Sequence, residues 1–386
     1  MATKFKTIIK LIIYFIINLL IRPSKKIKSK SLALIRLDAI GDYILFRNFI
    51  EILKKSEKYK NYSITLIGNS AWKNLTTEFD NKFIDNLIWI DRNRFSKDLI
   101  YRYNKLKEIT SSGYEVVISP VFSRTFFFDD NIVKLINSKE KIGSVSNTSN
   151  IDKWQKNISD NYYTKLIYIK KELMFEFHRN KFFFESLLDA KLDIIKPTIS
   201  LSNKNSKFKI SKKYAVLFIG GSDKYKKWSV KNFAKIATYL NEKYGYDIVI
   251  CGSSNDSNEA HELENKYEGK ILNLVGKTSL IELLEVINNA DLILTNETSA
   301  SHISAALCLK NIFVIYSGKH LGRFIPYPKK ISENHHTIYH PFIYKNFDNY
   351  TKLSNSYGFF SSLDINEITI ESVKNKIDEN FNKSLF

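Results

Sequence analysis

Asp42 has the residue type and the position that proton transfer from a hydroxyl group needs. It follows an apolar segment and Gly41 and precedes a helical pattern, so we expect its carboxylate near the carboxyl end of a strand, beside bound ligands. Asp38 lies four residues earlier. It either shares that work or shifts the pKa of Asp42 through like-charge repulsion. The alternative for Asp42 is a first-turn acid that only complements the helix dipole.

A second candidate site lies in residues 291–307, where the pattern predicts a buried strand, a polar turn and then a helix. Free backbone N–H groups and the helix dipole meet at such a junction, so it is an anion site and suits diphosphates. A carboxylate in the same turn can bind sugar hydroxyls. The alternative is a helix that hydroxyl residues merely cap, with a structural histidine. The residues concerned are Glu297, Thr298, Ser299 and His302.

Other predicted strand ends of the second half also carry glycine, serine or threonine, which allow a phosphate to approach backbone N–H groups. One of them continues as Gly-Gly-Ser-Asp-Lys-Tyr-Lys-Lys-Trp over residues 220–228. Either Lys226 or Lys227 can supply a point charge to a diphosphate. No Walker loop and no dinucleotide fingerprint is present.

These residues need a scaffold, and the alternation of strand and helix patterns predicts mostly parallel sheets flanked by helices. The predicted strands are 31–37, 64–67, 87–90, 116–119, 141–145, 214–219, 247–251, 271–274, 292–295 and 312–316. The predicted helices are 43–54, 95–109, 126–136, 175–188, 230–244, 257–267, 279–289 and 369–381. The lysine-rich segment 203–213 is the predicted linker. After the loop that contains Pro326 and Pro328, the aromatic end of the chain is predicted to be irregular up to Phe360.

With 386 residues the chain is long enough for two domains, and its net charge of +19 favours an anionic partner: nucleic acid, a phospholipid surface or a phosphorylated glycan. Cys251 and Cys308 make neither a disulfide framework nor a metal-ligand cluster, which fits a reducing compartment.

Residues 1–30 contain eight Lys or Arg and no acid, and they include an apolar run over 11–17. The run is shorter than a bilayer requires, so we expect a helix in the membrane interface, with the lysines of 25–30 on anionic headgroups. Two alternatives are a signal peptide, for which a small-residue cleavage site is missing, and a helix docked on its own protein. One polar stripe runs along this helix and consists of Thr7, Lys10, Tyr14 and Asn18.

Four segments together resemble glycosyltransferase family 9, the bacterial lipopolysaccharide heptosyltransferases. Residues 35–42 are similar to the family's R-L-[ST]-x-[LIM]-G-D signature, and Lys-Lys-Trp with Phe233 is similar to K-x-W-x-x-x-x-F. Residues 276–280 resemble its G-x-T-S-L turn, and residues 295–302 resemble T-N-D-[ST]-G-x-x-H.

The resemblance implies an α/β fold of the GT-B type, with two Rossmann-like doubly wound domains facing across a cleft that holds the active site. We expect a basic membrane-associating segment in 1–30, an acceptor domain in 31–204, a nucleotide-sugar domain in 205–340, and an aromatic tail with a helix in 341–386. The implied reaction is inverting transfer of a sugar from a nucleotide diphosphate donor, often ADP-heptose, to a hydroxyl of a membrane glycolipid.

The resemblance also implies residue roles. Asp42 matches the catalytic base, and the donor-binding positions are Ser222 and Lys226 at the diphosphate, Asp256 at the ribose, and Glu297, Thr298, Ser299 and His302 in the donor turn. Accessory positions are Arg36, Asp38, Gly41 and Arg323. The chain departs from the pattern because Glu297 replaces the commoner Asp, Ser299 replaces Gly, and Asp38 replaces a small hydroxyl residue.

No metal ligand is predicted, so we expect no required cofactor and at most loose Mg²⁺ stimulation. The expected partners are the nucleotide sugar, an anionic glycolipid and, through residues 1–30, the membrane surface, but not nucleic acid. The expected location is peripheral, on the cytoplasmic face of a bacterial inner membrane. Alternatives are a UDP-linked hexose or N-acetylhexosamine donor for capsule or another glycan, an inactive transferase, and a basic membrane-binding or nucleic-acid-binding protein.

Overall fold

The computed structural model describes residues 2–169, 173–201, 207–208, 210, 213–357 and 361–383. The chain divides into two compact units: unit 1 is Met1–Glu172 with Arg179–Leu192, and unit 2 is Leu173–His178 with Asp193–Phe386. The predicted separate segments 1–30 and 341–386 thus belong to unit 1 and unit 2, respectively. Most of the predicted linker 203–213 lies outside the described residues.

Unit 1 is built on a sheet of six parallel strands in the order β3-β2-β1-β4-β5-β6. The strands are β1 (Ile27–Arg36), β2 (Ser63–Asn69), β3 (Asn86–Ile90), β4 (Gly113–Ser119), β5 (Ser138–Ser144) and β6 (Lys165–Ile167). The helices are α1 (Ala2–Leu20), α2 (Ile40–Ile44), α3 (Asn48–Lys55), α4 (Lys73–Phe79), α5 (Arg92–Lys97), α6 (Leu99–Thr110), α7 (Asp129–Leu135), α8 (Lys153–Ser159) and α9 (Glu176–Leu188), the last of which begins in unit 2. The winding direction reverses between β1 and β4, and ligands of such sheets bind beyond the carboxyl ends of those strands.

Unit 2 repeats this plan with the parallel order β12-β11-β10-β7-β8-β9. Its strands are β7 (Tyr214–Phe218), β8 (Asp247–Cys251), β9 (Ile271–Asn273), β10 (Leu292–Asn296), β11 (Ile312–Tyr316) and β12 (His335–Tyr339). Its further helices are α10 (Val230–Tyr244), α11 (Ser257–Lys266), α12 (Leu280–Asn288), α13 (Ser299–Ala306), α14 (Pro341–Lys345), α15 (Tyr350–Tyr357) and α16 (Ile370–Lys383). The reversal lies between β7 and β10, so the predicted α/β class with two doubly wound sheets is confirmed.

Three sequence predictions about elements are wrong. The predicted helix 43–54 is two helices, α2 and α3, and the predicted helix 95–109 is broken at Asp98, whose carboxylate caps α6 by accepting from the backbone N–H of Tyr101 at 2.9 Å. The segment before residue 360 contains β12, α14 and α15 instead of irregular chain. β12 was missed because it has no apolar run: two of its three buried residues are the polar His335 and Thr337. α14 begins at a proline, which fits the first turn of a helix.

α1 packs on unit 1 through the stripe that the sequence marks as polar. Tyr14 is 3% exposed; its hydroxyl donates to the carbonyl of Ser96 at 2.8 Å, and the Arg102 guanidinium lies 3.6 Å from its ring centre. Asn18 donates to Asn131 Oδ1 at 2.6 Å. The alternative of a helix docked on its own protein is therefore confirmed for this face. Within the described part of the chain, no helix combines the length and hydrophobicity that a membrane crossing requires.

Candidate functional site

The turn after β1 is fixed by buried polar contacts. Arg36 is fully buried; its Nε lies 2.9 Å from Asp38 Oδ2, and its Nη1 donates to Asn180 Oδ1 at 3.2 Å. The backbone carbonyl of Asp38 accepts from Asn69 Nδ2 and Trp72 Nε1, each at 3.0 Å. Both the side chain and the main chain of Asp38 are thus held, and the turn that leads into α2 is preorganised.

Asp42 lies in the first turn of α2, after the buried Gly41, and it is partly exposed. The next residue, Tyr43, anchors the helix from inside: its ring stacks on Trp72 at 4.0 Å, and its hydroxyl donates to Asp80 Oδ2 at 2.6 Å. Adjacent helix residues point about 100° apart, given 3.6 residues per turn, so the fixed Tyr43 also fixes the direction of Asp42. The structure therefore places Asp42 at the winding reversal of unit 1, where a ligand of this sheet would bind.

A third carboxylate of this edge, beside those of Asp38 and Asp42, was not predicted from the sequence. Asp129 opens α7, and its Oδ2 accepts from the backbone N–H of Thr125 at 3.1 Å and from the hydroxyl of the same residue. Burial raises the pKa of Asp129 to about 6, the Asp38 carboxylate adds to this shift, and Arg92 opposes it. The predicted helix 126–136 places Asp129 inside the helix, where an acid does not indicate a strand end or a binding site. In the structure α7 begins at Asp129 and is the first helix after β4.

In unit 2, Lys226 and Glu297 meet at the corresponding edge of the sheet. Lys226 follows β7, Glu297 follows β10, and Lys226 Nζ lies 3.1 Å from Glu297 Oε1, with both side chains less than a tenth exposed. His320 Nδ1 lies 3.4 Å from the same oxygen. Burial works to raise the pKa of Glu297, but Lys226 and His320 together outweigh it, so this pKa lies below its ordinary value. Glu297 Oε2 is buried without a hydrogen-bond partner among the described residues.

Asn296 holds the two loops of this edge together. It is fully buried, and its Nδ2 donates to the carbonyls of Ile219 and Gly220 at 2.9 and 3.0 Å. Its Oδ1 accepts from the backbone N–H of Trp228 at 3.1 Å. Because these contacts join the loop after β7 to the end of β10, they bring Lys226 to the Glu297 turn.

Thr298 caps α13, and its hydroxyl accepts from the backbone N–H of Ala300 at 3.2 Å. The predicted capping alternative is thus present, and it leaves other N–H groups of the first turn available for an anion. Ser299 is the first residue of α13 and is partly exposed. The positive end of α13 and the Lys226 ammonium together form an anion-binding edge.

His302 lies behind this edge, inside unit 2. Its Nδ1 lies 2.6 Å from the hydroxyl of Tyr327, and burial lowers the pKa of His302 to about 4, although Glu297 opposes the shift. The ring is therefore uncharged at neutral pH. Arg323 contacts Glu176, with its Nε 2.8 Å from Glu176 Oε2. Burial is the main cause of the lowered pKa of His320, and the charge of Arg323 contributes to it.

Asp256 has an internal role in this structure. Its Oδ2 accepts from the backbone N–H and the hydroxyl of Ser253 at 2.9 and 2.7 Å, and its Oδ1 lies 2.9 Å from Lys227 Nζ. A Cβ on Gly220 would lie 2.6 Å from Asp256 Oδ2, so glycine is needed there. Lys227 also reaches Glu259 Oε1 at 2.6 Å, and Glu259 is only partly buried. The ribose role of Asp256 stays a prediction. Ser222 is exposed in the same loop.

Two groups of predicted residues are brought together, each within its own unit. Unit 1 combines Arg36, Asp38, Gly41 and Asp42; unit 2 combines Lys226, Glu297, Thr298, Ser299 and His302, with Arg323 nearby. The sequence did not single out Asp129, His320 or Tyr327, and it offered Lys227 only as an alternative to Lys226. Among the described residues, no group of three or more His, Cys, Asp or Glu side chains is arranged to hold a metal ion.

Comparison with known families supports a transferase. The family model described as glycosyltransferase family 9 (heptosyltransferase) matches residues 156–346. A lipooligosaccharide heptosyltransferase 2 of Campylobacter jejuni serotype O:2 is 31% identical over 93 residues, which span 23% of this chain and 28% of that protein. The protein of the same name from serotype O:6 is 26% identical over 281 residues, 71% of this chain and 78% of the relative.

Solved structures support the fold. The heptosyltransferase WaaC of E. coli, solved with ADP-2-deoxy-2-fluoro heptose, matches with a TM-score of 0.66 and 16% identity, over 91% of this chain and 99% of that one. At this identity the likeness concerns the fold, which is of the GT-B type with two Rossmann-like domains.

Proposed function

Since this chain belongs to glycosyltransferase family 9, we propose that it transfers a heptose from ADP-heptose to a hydroxyl group of a lipopolysaccharide or related surface glycolipid, with inversion at the anomeric carbon. The observation that carries this proposal is the contact of Lys226 with Glu297 beside the amino terminus of α13. It sits at the winding reversal of unit 2, where a nucleotide diphosphate is the expected ligand.

Unit 2 serves the leaving group. As the bond between the anomeric carbon and the diphosphate oxygen breaks, negative charge grows on the diphosphate. The Lys226 ammonium and the N–H groups of the first turn of α13 stabilise that charge, and they are in place before the reaction begins. Glu297 Oε2, which lacks an internal partner, accepts a hydrogen bond from a hydroxyl of the donor.

Unit 1 serves the acceptor. The Asp42 carboxylate takes the proton of the acceptor hydroxyl while the oxygen attacks the anomeric carbon in a single displacement. General-base assistance of this kind contributes about 10²–10⁴-fold to the rate. The pair of the buried Arg36 and the partly exposed Asp38 keeps the turn before Asp42 in one conformation, so that the Asp42 carboxylate is presented without reorganisation.

An anionic acceptor would account for the high positive net charge of the chain. A phosphorylated glycolipid is anionic, and the chain carries +19 net charge. We propose that the protein works on the cytoplasmic face of a bacterial inner membrane, where such acceptors are presented, and that residues 1–30 bring it there. No resident metal ion or other cofactor is needed for this route, because lysine and backbone N–H groups stabilise the leaving diphosphate.

Ligand-induced thermal stabilisation tests the donor. With ADP, UDP, GDP and CMP at equal concentration, ADP should raise the melting temperature most, by an amount that grows with the ratio of ligand concentration to Kd. Lys226→Met should abolish the shift, whereas Lys231→Met, at an exposed position of α10, should keep it. A larger shift with UDP than with ADP would instead identify the alternative donor class, a UDP-linked hexose or N-acetylhexosamine.

A further inference from the structure

α1 is oriented on unit 1 with its polar residues inward. Lys10 Nζ donates to Ser96 Oγ at 3.1 Å, Tyr14 reaches the carbonyl of the same serine, and Asn18 pairs with Asn131. A helix docked on its own protein in water normally presents its apolar face to the core and its polar face to solvent. α1 docks through this polar stripe together with Ile17, which is buried in the core of unit 1, and the partly buried Ile13.

The outer face of α1 consists of large apolar side chains. Those on this side are 41–67% exposed and recur at helical spacing; they are Ile9, Ile12, Phe15, Ile16, Leu19 and Leu20. No charged side chain interrupts this face between residues 9 and 20. Single exposed apolar residues are ordinary, but a contiguous apolar stripe of this length marks an interaction surface.

The chain that leaves α1 supplies charge beside this stripe. Exposed basic residues follow within ten positions of the end of the helix: Arg22, Lys25, Lys26, Lys28 and Lys30. An apolar stripe flanked by cations matches an anionic lipid surface, where acyl chains take up the stripe and phosphates meet the cations. A second copy of the chain is a poorer occupant, because pairing two such faces brings like charges together.

We propose that the outer face of α1 is a membrane-docking surface: the helix lies parallel to a bilayer of anionic phospholipids, with its outer side chains among the acyl chains and residues 22–30 on the headgroups. This inference deepens the proposed function, because it names the surface by which the enzyme reaches its glycolipid. The inner contacts of Tyr14 and Asn18 make α1 part of the folded unit, so docking also fixes the orientation of unit 1 on the membrane.

Vesicle flotation of the full chain tests this directly. Wild type should float with vesicles of phosphatidylcholine and phosphatidylglycerol, and less with phosphatidylcholine alone. The variant Ile12→Ser/Ile16→Ser should bind these vesicles about tenfold more weakly for each substitution, because each one removes the favourable transfer of an apolar side chain from water to the acyl chains. The matched control is Ile100→Ser/Ile195→Ser, which changes two isoleucines that are 75% and 66% exposed elsewhere, and it should float like wild type.

The charge contribution needs its own variant. Lys25→Gln/Lys26→Gln/Lys28→Gln should weaken binding to anionic vesicles roughly fivefold for each lysine, an effect that added salt erases. The control removes three exposed lysines of unit 2: Lys231, Lys270 and Lys310. Equal flotation of the two triple variants would show that the charge next to α1 has no special role and would overturn the proposal.

Further outcomes separate docking from catalysis. The variant Ile12→Ser/Ile16→Ser (the stripe variant) should turn over a deacylated acceptor at the wild-type rate and show the same ADP-dependent rise in melting temperature. Its turnover of a vesicle-embedded acceptor should fall. If wild type fails to float, or if the stripe variant floats like its control, the docking surface is refuted even when transfer is active. If sedimentation without lipid shows a dimer that the stripe variant loses, the face binds a second copy and the membrane assignment is wrong. Failure of transfer with normal flotation would refute only the proposed function.

Discussion

At the scale of single residues, Lys226 neutralises a buried carboxylate and, in the proposed function, also binds a diphosphate. Its Nζ is 3.1 Å from Glu297 Oε1, and His320 shares that oxygen. An ammonium group has three N–H donors, so one contact with Glu297 leaves donors for phosphate oxygens. The replacement of the commoner Asp by Glu297 therefore does not remove the lysine from the site.

Replacing Lys226 by methionine separates these two roles. Glu297 loses its nearest cation, and breaking a buried ion pair from one side costs about 3–5 kcal/mol of folding free energy. Lys226→Met/Glu297→Gln should recover much of that loss, because no buried charge is left unpaired. ADP affinity should stay at least about tenfold weaker in both variants, since charged hydrogen bonds to the diphosphate are missing. Denaturant unfolding and titration calorimetry measure the two effects. Normal ADP binding by the double variant would make Lys226 a structural residue only.

Asp129 makes the stability of unit 1 depend on pH. Its pKa in the folded protein is about 6, because burial, with help from Asp38, disfavours its charged form. The unfolded chain has the ordinary lower value, so the folded state binds the proton more tightly. The stabilisation is fully present below the unfolded pKa and is lost as the pH rises through about 6.

Asp129→Asn should therefore gain stability over wild type between pH 4 and pH 8, by up to roughly 3 kcal/mol. Asparagine keeps an oxygen that can accept from Thr125. The measurement is the melting temperature of both proteins across this range, with Asp98→Asn, at an exposed helix cap, as the comparison. A difference between wild type and Asp129→Asn that does not change with pH would contradict the assignment of a raised pKa.

At the scale of elements, α1 provides the sharpest contrast between neighbouring residues. Tyr14→Ala removes a buried ring and its hydrogen bond to Ser96, so it should cost about 3–5 kcal/mol, as aromatic truncations in cores do. Phe15 is 56% exposed, and Phe15→Ala should change stability by no more than about 0.5 kcal/mol. Chemical unfolding decides between them. A reversed order would mean that α1 docks through its apolar face.

The elements themselves were largely predictable, whereas the orientation of α1 was not. Strands such as 247–251 and the helix 230–244 have the predicted bounds, because buried parallel strands give short apolar runs and Gly245 ends the helix. Periodicity in α1 separates two faces but does not say which one is buried. That depends on Ser96 and Asn131, which are distant in the sequence and supply partners for the polar stripe.

Candidate site residues that adjoin a strand end could be predicted from the sequence. Residues that reach the site only through tertiary contacts could not. Lys226, Glu297 and Asp42 were found because the loops that carry them are marked in the sequence. His320 was not selected, since it lies in a loop after β11 that reaches Glu297 only in the folded unit. Asp256 shows the opposite case: a suitable acid at a strand end whose two oxygens are occupied by Ser253 and Lys227.

At the scale of the whole molecule, the proposed function assigns a separate role to each of the two doubly wound units. Unit 1 carries the proposed base at its winding reversal, and unit 2 carries the anion-binding edge at its own. The same molecule presents a basic, apolar-faced helix on unit 1. The proposal thus assigns acceptor chemistry and membrane contact to unit 1 and donor chemistry to unit 2.

In the proposed mechanism Lys226 and backbone N–H groups stabilise the leaving diphosphate, so transfer should not require a divalent metal ion. Chelator treatment should lower the rate by no more than about tenfold, the loss of one modest electrostatic contribution. Initial rates with chelator, with added Mg²⁺ and without either provide the comparison. Complete loss of activity with chelator, restored by the metal alone, would refute this prediction.

The mass of the reaction product decides whether the protein transfers heptose. Incubated with ADP-heptose and a glycolipid core that lacks heptose, the protein should release ADP and add one heptose unit to the acceptor. Asp42→Ala should lower this turnover by about 10²–10⁴-fold while it retains the ADP-dependent rise in melting temperature. An acceptor mass that stays unchanged with ADP-heptose but increases with a UDP-linked sugar would refute the proposed donor. Heptose transfer by Asp42→Ala at the wild-type rate would refute the proposed base.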